Sequence, residues 1–540
     1  MTDLEIPFER DRKGHYRFFE ILPGALSYTM LLLPVILSLI NVTLAVGAIL
    51  FYLLVFFVRS VGYSIRAIAG YQTMKQHIVL DWTALNQDLE EGKSAAKNWP
   101  RWHYANLARL DEQGGVVKPS QLVQAVIIAT VNESREVLEP TIQSVLASDY
   151  DSKNIILVFA YEGRAGQEAE DRVMELVELY KDKFKHLMAV KHPANIPGEL
   201  IGKGGNISFA GRELQKYLAT QDINPAYVPV TTLDADNRPD KAYFAALTYL
   251  YCVVPDPIRA SFQPLPMFTN NIWDAPSLMR VIATGNNLYY IVSTQRPHLA
   301  RNFSAHAQSM QALIEMDFWS VRTIVEDGHH FWRSYFRYDG DYRVYPISVP
   351  IYQDAVLADG YIRTLKAQFI QLRRWTYGAS DIAYIASKGF FTPNRVPKLD
   401  VTFKFLRSLE GHVSWATGTL LVYFAAFVPS LVHPDSLAGQ LLPLTVGRLQ
   451  KFGIAGLLVS LYVCLVTLPP RPARYKRHRS IFMLTQWALL PVSSVAYGSL
   501  AAFNSQTRLM FKRYLSKFDV TEKAVVTAAG NTVSTDANPE

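Results

Sequence analysis

The sequence is poor in cysteine and in charge. Cysteine occurs twice in 540 residues, at Cys252 and Cys464, so no disulfide framework is expected. One cysteine falls in a segment that reads as globular and the other in an apolar one, which fits a domain facing a reducing cytosol. Charged residues make up 19% of the chain against 49% hydrophobic, and mean hydropathy is +0.06. A Walker-type phosphate loop is missing, so nothing marks a nucleotide-driven transporter. No small-residue cleavage site follows the first apolar stretch, and that stretch is too long for a signal peptide, so none is expected.

What is present is concentrated apolar sequence at both ends. Residues from Ile21 to Val58 carry no charge, enough at ~1.5 Å per residue for about two crossings of a ~30 Å hydrocarbon layer. Asn41 and Thr43 stand where a tight turn would divide them. Further spans are expected near His412 to Val432 and Phe452 to Leu468, after an interface helix from Phe403 to Trp415. The stretch Ile481 to Phe503 is interrupted by Pro491, Ser493, Ser494 and Gly498 and is flanked by cations at both ends. A single crossing there breaks the positive-inside pattern, so a broken or re-entrant segment and a failure of the rule both stay open.

The net charge is +7. Its cations gather at the edges of apolar stretches: Arg10 to Arg17, Arg59 and Arg66, Arg471 to Arg479, and Arg508 to Lys517. Groups so far apart, each beside a span, fit membrane topology and argue against a nucleic-acid partner.

Between the apolar ends the pattern alternates. Leu122 to Val131 and Asn154 to Ala160 read as buried parallel strands, with a helix from Glu136 to Ala147 between them. A helix from Ala169 to Lys181, a strand at Met188 to Val190, a helix from Ile207 to Leu218 and a strand from Val228 to Leu233 follow. This predicts an α/β nucleotide-binding domain with ligands at the carboxyl ends of its strands.

The last of these strands runs into Asp234-Ala-Asp236. Hard carboxylate oxygens suit Mg²⁺ or Mn²⁺, which in turn hold phosphates. Pro239 and Asp240 resemble a helix start. Upstream, Ile201-Gly-Lys-Gly-Gly-Asn206 opens a helix with glycines and the cation Lys203. Downstream stand Glu326-Asp327, a possible proton acceptor, and Gln371-Leu-Arg-Arg-Trp375, which puts an amide, cations and an aromatic plane within about a turn. Each piece alone is common in ordinary turns and amphipathic helices.

In this order, with Asn132-Glu133 after the first strand, the pieces resemble family-2 glycosyltransferases of GT-A fold, the group of membrane-integrated cellulose, chitin and hyaluronan synthases. The match runs over residues 120 to 380, and Phe518-Asp-Val-Thr-Glu-Lys523 is similar to a tail motif of many bacterial members. The resemblance implies a GT-A domain with a mixed, mostly parallel sheet, flanked by transmembrane helices. It implies Asp236 as metal ligand, Asp234 as nucleotide or metal contact, and Asp327, next to Glu326, as the base that deprotonates the acceptor. It implies Asn132, Glu133, Glu162 and Lys203 on the donor, and Gln371, Arg373, Arg374 and Trp375 near the diphosphate and acceptor. Glu162, in Phe-Ala-Tyr-Glu-Gly-Arg, fits its place loosely, and Val131 replaces an aromatic residue of many relatives. The stretch Arg301 to Gln308 departs from the family's acceptor loop, and His329 and His330 follow the acidic pair unusually.

The expected organisation is a cytosolic N-terminus (1–20), a transmembrane hairpin (21–60), an amphipathic linker (61–120), the GT-A domain (121–395), an interface helix with transmembrane helices (396–505) and a cytosolic tail (506–540) that is small and polar from Ala524 onward. The expected function is inverting transfer from a nucleotide-diphosphate sugar, UDP-linked by analogy, to a growing polysaccharide. A bacterial-type plasma membrane, a cytosolic catalytic domain and an export or assembly subunit complete the expectation. A single-transfer enzyme acting on a lipid-linked or glycolipid acceptor is the alternative; a non-catalytic membrane scaffold is the alternative of another class.

Overall fold

A computed structural model describes residues 4–94, 98–113, 117–516, 524–526 and 532–534. The tail motif at 518–523 lies outside them. Within the tail, Ala524–Val526 pairs antiparallel with Thr532–Ser534.

The α/β domain is built on eight strands: β1 (Gln124–Thr130), β2 (Ile155–Glu162), β3 (His186–His192), β4 (Pro229–Asp234), β5 (Arg238–Pro239), β6 (Ala260–Phe268), β7 (Ala307–Ser309) and β8 (Arg343–Gln353). Their order across the sheet is β3-β2-β1-β4-β7-β6-β8-β5. The β3-β2-β1-β4 half is parallel. β7 runs antiparallel to β4 and β6, and β8 pairs parallel with β6. This is the α/β class expected, flanked by apolar helices. β1 and β2 are Val/Ile-rich because both faces are covered: Val126 and Ile128 pack in one cluster, Ile127 and Ile156 in the other. Each such side chain contributes ~1.5–3 kcal/mol by burial. Their carboxyl ends open on one side, where the register sets Ala129 beside Asp234 and Thr130 beside Tyr161.

The N-terminal apolar stretch forms two helices, Gly14–Ile40 and Val42–Val79. Asn41 divides them, its side chain accepting a hydrogen bond from the Leu44 amide at 3.0 Å, as an N-cap does. The second helix has 38 residues, about 57 Å at 1.5 Å per residue and well beyond a hydrocarbon layer. Its lower half lies on the α/β domain, at Gly70 so closely that an added Cβ would stand 2.4 Å from the Ile291 carbonyl oxygen. Helices Trp82–Glu91 and Arg101–Gln113 follow. Trp82, Leu85 and Leu89 enter the main core cluster of the domain.

Helices Lys398–Phe424 and Leu437–Val466 come after the domain. The first is continuous through the region expected to split into an interface helix and a span. By length and composition five helical segments among the described residues are apolar enough to cross a membrane, including Arg479–Met510. That last segment is broken into short helices at Gln486–Leu489 and Ser494–Ser499. Both its ends are held on the side of the α/β domain. At one end Arg479 donates to the Trp273 carbonyl at 2.7 Å and Gln486 accepts from Arg280 at 2.6 Å. At the other, the Leu509 carbonyl accepts from Arg17 at 2.6 Å, in the first turn of the Gly14–Ile40 helix. The far end of that helix meets a different group: Ser38 accepts from His433 at 2.7 Å. Both ends of the segment thus lie toward the α/β domain, the arrangement that a re-entrant segment would have.

Candidate functional site

Asp234 closes β4 and Asp236 lies in the turn after it, so strand alternation alone does not aim the pair. Asn237 fixes the turn: its side chain accepts from the Asp234 amide at 3.0 Å and its amide donates to the Asp234 carbonyl at 3.0 Å. Asp236 Oδ2 accepts from the Asp354 amide at 3.1 Å, from the loop after β8. The helix start expected at Pro239–Asp240 is displaced. Arg238–Pro239 pairs instead with β8, and the helix begins at Tyr243, because proline needs no ladder donor on this edge strand.

Lys203 opens the helix Lys203–Thr220. Its Nζ stands 2.8 Å from Asp234 Oδ1 and 3.7 Å from Asp327 Oδ2. Burial opposes its charge, but Asp234, Asp327 and Glu326 together outweigh burial and raise its pKa. The glycines after it allow close approach to neighbouring chain: a Cβ on Gly204 would lie 2.3 Å from the Ser320 carbonyl oxygen and 3.2 Å from Glu326 Cβ. This approach brings Lys203 to the acidic pair.

Glu326 and Asp327 begin the helix Glu326–Arg337. Their environments differ. Glu326 is buried, and desolvation, followed by the charge of Asp327, pushes its pKa up to about 8, so it holds its proton at neutral pH. Asp327 faces the cavity, and its Oδ1 receives no hydrogen bond from the described residues. His306 Nδ1 is 3.8 Å away but bonds the Phe303 carbonyl at 2.9 Å. Burial lowers the His306 pKa, with Asp327 acting the other way. His306 is thus a neutral neighbour of Asp327, which lines the cavity.

One cavity of about 1030 Å³ joins these groups. Of the sequence candidates, Glu133, Glu162, Lys203, Asp234, Asp236, Glu326, Asp327, Gln371, Arg374 and Trp375 line it; Asn132 and Arg373 do not. Glu133 turns back on its own loop, accepting from Thr130 Oγ1 and the Val131 amide, each at 2.7 Å. Arg373 offers its backbone: its carbonyl accepts from Thr376 at 2.9 Å and Ser505 at 2.5 Å, tying the helix Tyr361–Thr376 to Leu500–Met510. The Trp375 ring packs 5.9 Å from that of Phe268, and Arg374 acts electrostatically on Glu326. His329 and His330 are fully buried, the first 2.8 Å from Asp381 and the second on Gln308, and neither lines the cavity.

Other residues of the site gave no sequence signal. His192, ending β3, bonds Glu162 at 3.2 Å and Glu199 at 3.0 Å. Burial disfavours its charge, but the two carboxylates prevail and raise its pKa to about 9. Ser304 donates to Asp234 Oδ2 at 2.7 Å. It lies in the unusual stretch Arg301–Gln308, the one hint the sequence held. Far from the strand ends, the cavity continues to Phe56, Tyr63 and Trp415 on the long apolar helices.

No set of three acidic, histidine or cysteine side chains poised for a metal occurs among the described residues. Two carboxylates at one strand mouth nevertheless fit Mg²⁺ or Mn²⁺, which take one or two protein carboxylates and fill the remaining positions with substrate phosphate and water. Asp234 and Asp236, both lining the cavity, meet that requirement.

A scan against protein-family models finds no match, and neither does a search of curated proteins. Solved structures resemble the chain. One is a mannosyltransferase from Pyrobaculum calidifontis in complex with GDP-Man and Mn²⁺, 16% identical, TM-score 0.42, covering 74% of this chain and 96% of that one. Another is TarS 1-349 from S. aureus in complex with UDP, 11% identical, TM-score 0.35, covering 76% and 96%. A third is GalNAc-T7 with UDP, GalNAc and Mn²⁺, 12% identical, TM-score 0.29, covering 58% and 59%. The chemistry therefore rests on the side chains of this chain.

Proposed function

We propose that the chain is a membrane-bound, inverting glycosyltransferase of family-2 type and GT-A fold, moving a sugar from a nucleoside-diphosphate donor to an acceptor that arrives from the membrane side. The carrying observation is that a single cavity contains the Asp234/Asp236 pair, Lys203, Asp327 and the Gln371–Trp375 helix, and ends against apolar helices. Growing polysaccharide is the first reading of the acceptor, UDP-sugar the first reading of the donor, and the cytosolic face of a bacterial-type plasma membrane the first reading of the place.

Each group has a role. Glu162 and Glu133, at the ends of β2 and beyond β1, receive the base end of the donor. Lys203 and Arg374 place positive charge beside the diphosphate. A divalent cation held by Asp236 and Asp234 would neutralise the departing diphosphate. Asp327 accepts the acceptor proton as the hydroxyl attacks the anomeric carbon, and the carbon–oxygen bond to the diphosphate breaks on the opposite face. One displacement inverts the anomeric centre. Glu326, protonated, is not available to take that proton.

The test is the product of purified protein supplied with donor and metal. A β-linkage from an α-linked donor, read by NMR, supports the reading; retention of configuration contradicts it. Product size separates stepwise polymer growth from single transfer.

A further inference from the structure

Arginines from two elements line the end of the cavity that meets the apolar helices, and two more on a third element stand within electrostatic reach. On the helix Val42–Val79, Phe56, Arg59, Tyr63 and Arg66 are spaced by three, four and three residues, which puts them on one face. Phe56 and Tyr63 line the cavity. From the loop after the helix Ser277–Ser293, Arg296 and Arg301 line it too, and from Lys398–Phe424 so does Arg407. Arg296 lies within electrostatic reach of Arg66, Arg407 and Arg59, and Arg301 within reach of Arg407.

Acids do not balance them. Glu410 pairs with both Arg59, at 2.6 Å, and Arg407, at 2.5 Å. Nearby Lys404 is matched by Asp400 at 2.6 Å, and Asp381, the one acid that acts on Arg301, is shared with His329 at 2.8 Å. Arg301 donates to Ser408 at 3.3 Å and stacks on Trp332. Arg296 and Arg66 have no side-chain hydrogen bond or ion pair among the described residues, and Arg66 Nε is buried without a partner. Burial and then the neighbouring arginines lower the Arg296 pKa, the mark of a cation with no counter-charge. Topology explains cations at a bilayer edge. It does not explain why Arg296 and Arg301 of the α/β domain line one cavity with Arg407, beside aromatic side chains and within electrostatic reach of Arg59 and Arg66.

We propose that this end of the cavity binds a phosphate or diphosphate carried on an apolar chain, the phosphate between Arg296, Arg301 and Arg407, with Arg66 adding positive charge beside Arg296, and the chain along Phe56, Tyr63 and Trp415. Planar guanidinium groups match phosphate oxygens in pairs, and the aromatic walls lead toward the bilayer. The shared chemistry has two sources: a lipid phosphate that carries the acceptor glycan, or an anionic headgroup of the bilayer. The assignment of the ligand as acceptor rests on the glycosyltransferase reading; its binding does not.

The experiment measures binding without donor. Full-length protein in phosphatidylcholine nanodiscs is titrated with farnesyl phosphate and with farnesol, and separately with UDP and GDP as a folding control. Saturable binding of farnesyl phosphate, weakened about tenfold in Arg296→Gln and in Arg66→Gln with nucleotide binding kept, is the expected result. Competition by phosphatidylglycerol at equal concentration assigns the site to bilayer headgroups; resistance to it assigns the site to a prenyl-type phosphate. Farnesol binding as tightly as farnesyl phosphate, or unchanged affinity in both variants, overturns the proposal. Loss of nucleotide binding in the unaltered protein would instead count against the transferase reading alone.

Discussion

Lys203 stands between Asp234 and Asp327 with 7% of its side chain exposed. Replacing it with methionine leaves two carboxylates facing each other without a cation. Breaking a fully buried pair costs ~3–5 kcal/mol. Asp234 is 34% exposed, so water takes up part of that, and roughly 2 kcal/mol is expected for Lys203→Met. Thermal melting in detergent measures it, and donor affinity should fall in the same variant. A second residue-level prediction concerns pH. Protonated His192, with a pKa raised to about 9, stabilises the fold fully below its ordinary value near 6.5 and loses that contribution as pH climbs through 9. Glu326 has the same sign for another reason: the folded state holds a proton that the unfolded chain releases, so stability falls as pH rises from about 4.5 to 8. Melting temperature should therefore decline across this range. Glu326→Gln should remove the lower part of the decline and His192→Gln the upper part; an unchanged profile in both refutes the assignments.

At the scale of elements, much was legible because it follows from patterning. Continuous β-branched runs mark β1 and β2, since a parallel strand covered on both faces needs no polar positions. Asn41 was readable as a divider because its side chain can cap the next helix. Contacts between elements were not legible. Gly204 reads as part of a phosphate-type turn, but the structure presses its Cα side against Ser320 and Glu326. Pro239 looks like a helix start until β8 is known to lie beside it. Gly204→Ala should force the Lys203 helix away from Glu326 and lower transfer rate strongly while leaving the protein folded. Gly285→Ala, where an added Cβ meets nothing within 4 Å, serves as the control. Equal rates for the two would show that the close approach is unimportant.

At the scale of the molecule, the cavity-lining candidates stand up to 242 positions apart in the chain, from Glu133 to Trp375, and only the fold unites them in one cavity. The ordered motifs made most of that set visible beforehand. His192 was invisible because its role arises from Glu162, 30 positions away, and Ser304 was hinted at only by the unusual stretch around it, its partner Asp234 lying 70 positions away. The apolar architecture makes its own prediction. Arg477→Cys and Lys512→Cys should label from the same side of the membrane, and Asp435→Cys from the other, against a low background because Cys252 and Cys464 are buried. Labelling of the first two from opposite sides would show that Arg479–Met510 crosses.

In the proposed mechanism Asp327 drives sugar transfer from a nucleotide donor. Its most direct test is nucleotide release by purified protein from a panel of UDP-, GDP- and dTDP-sugars, with and without Mn²⁺ or Mg²⁺, alongside Asp327→Asn. Metal-dependent release from one donor, abolished in Asp327→Asn while that variant still binds the nucleotide, is the predicted result. Release that persists in Asp327→Asn, or no release from any donor with lipid and glycan acceptors supplied, would contradict it.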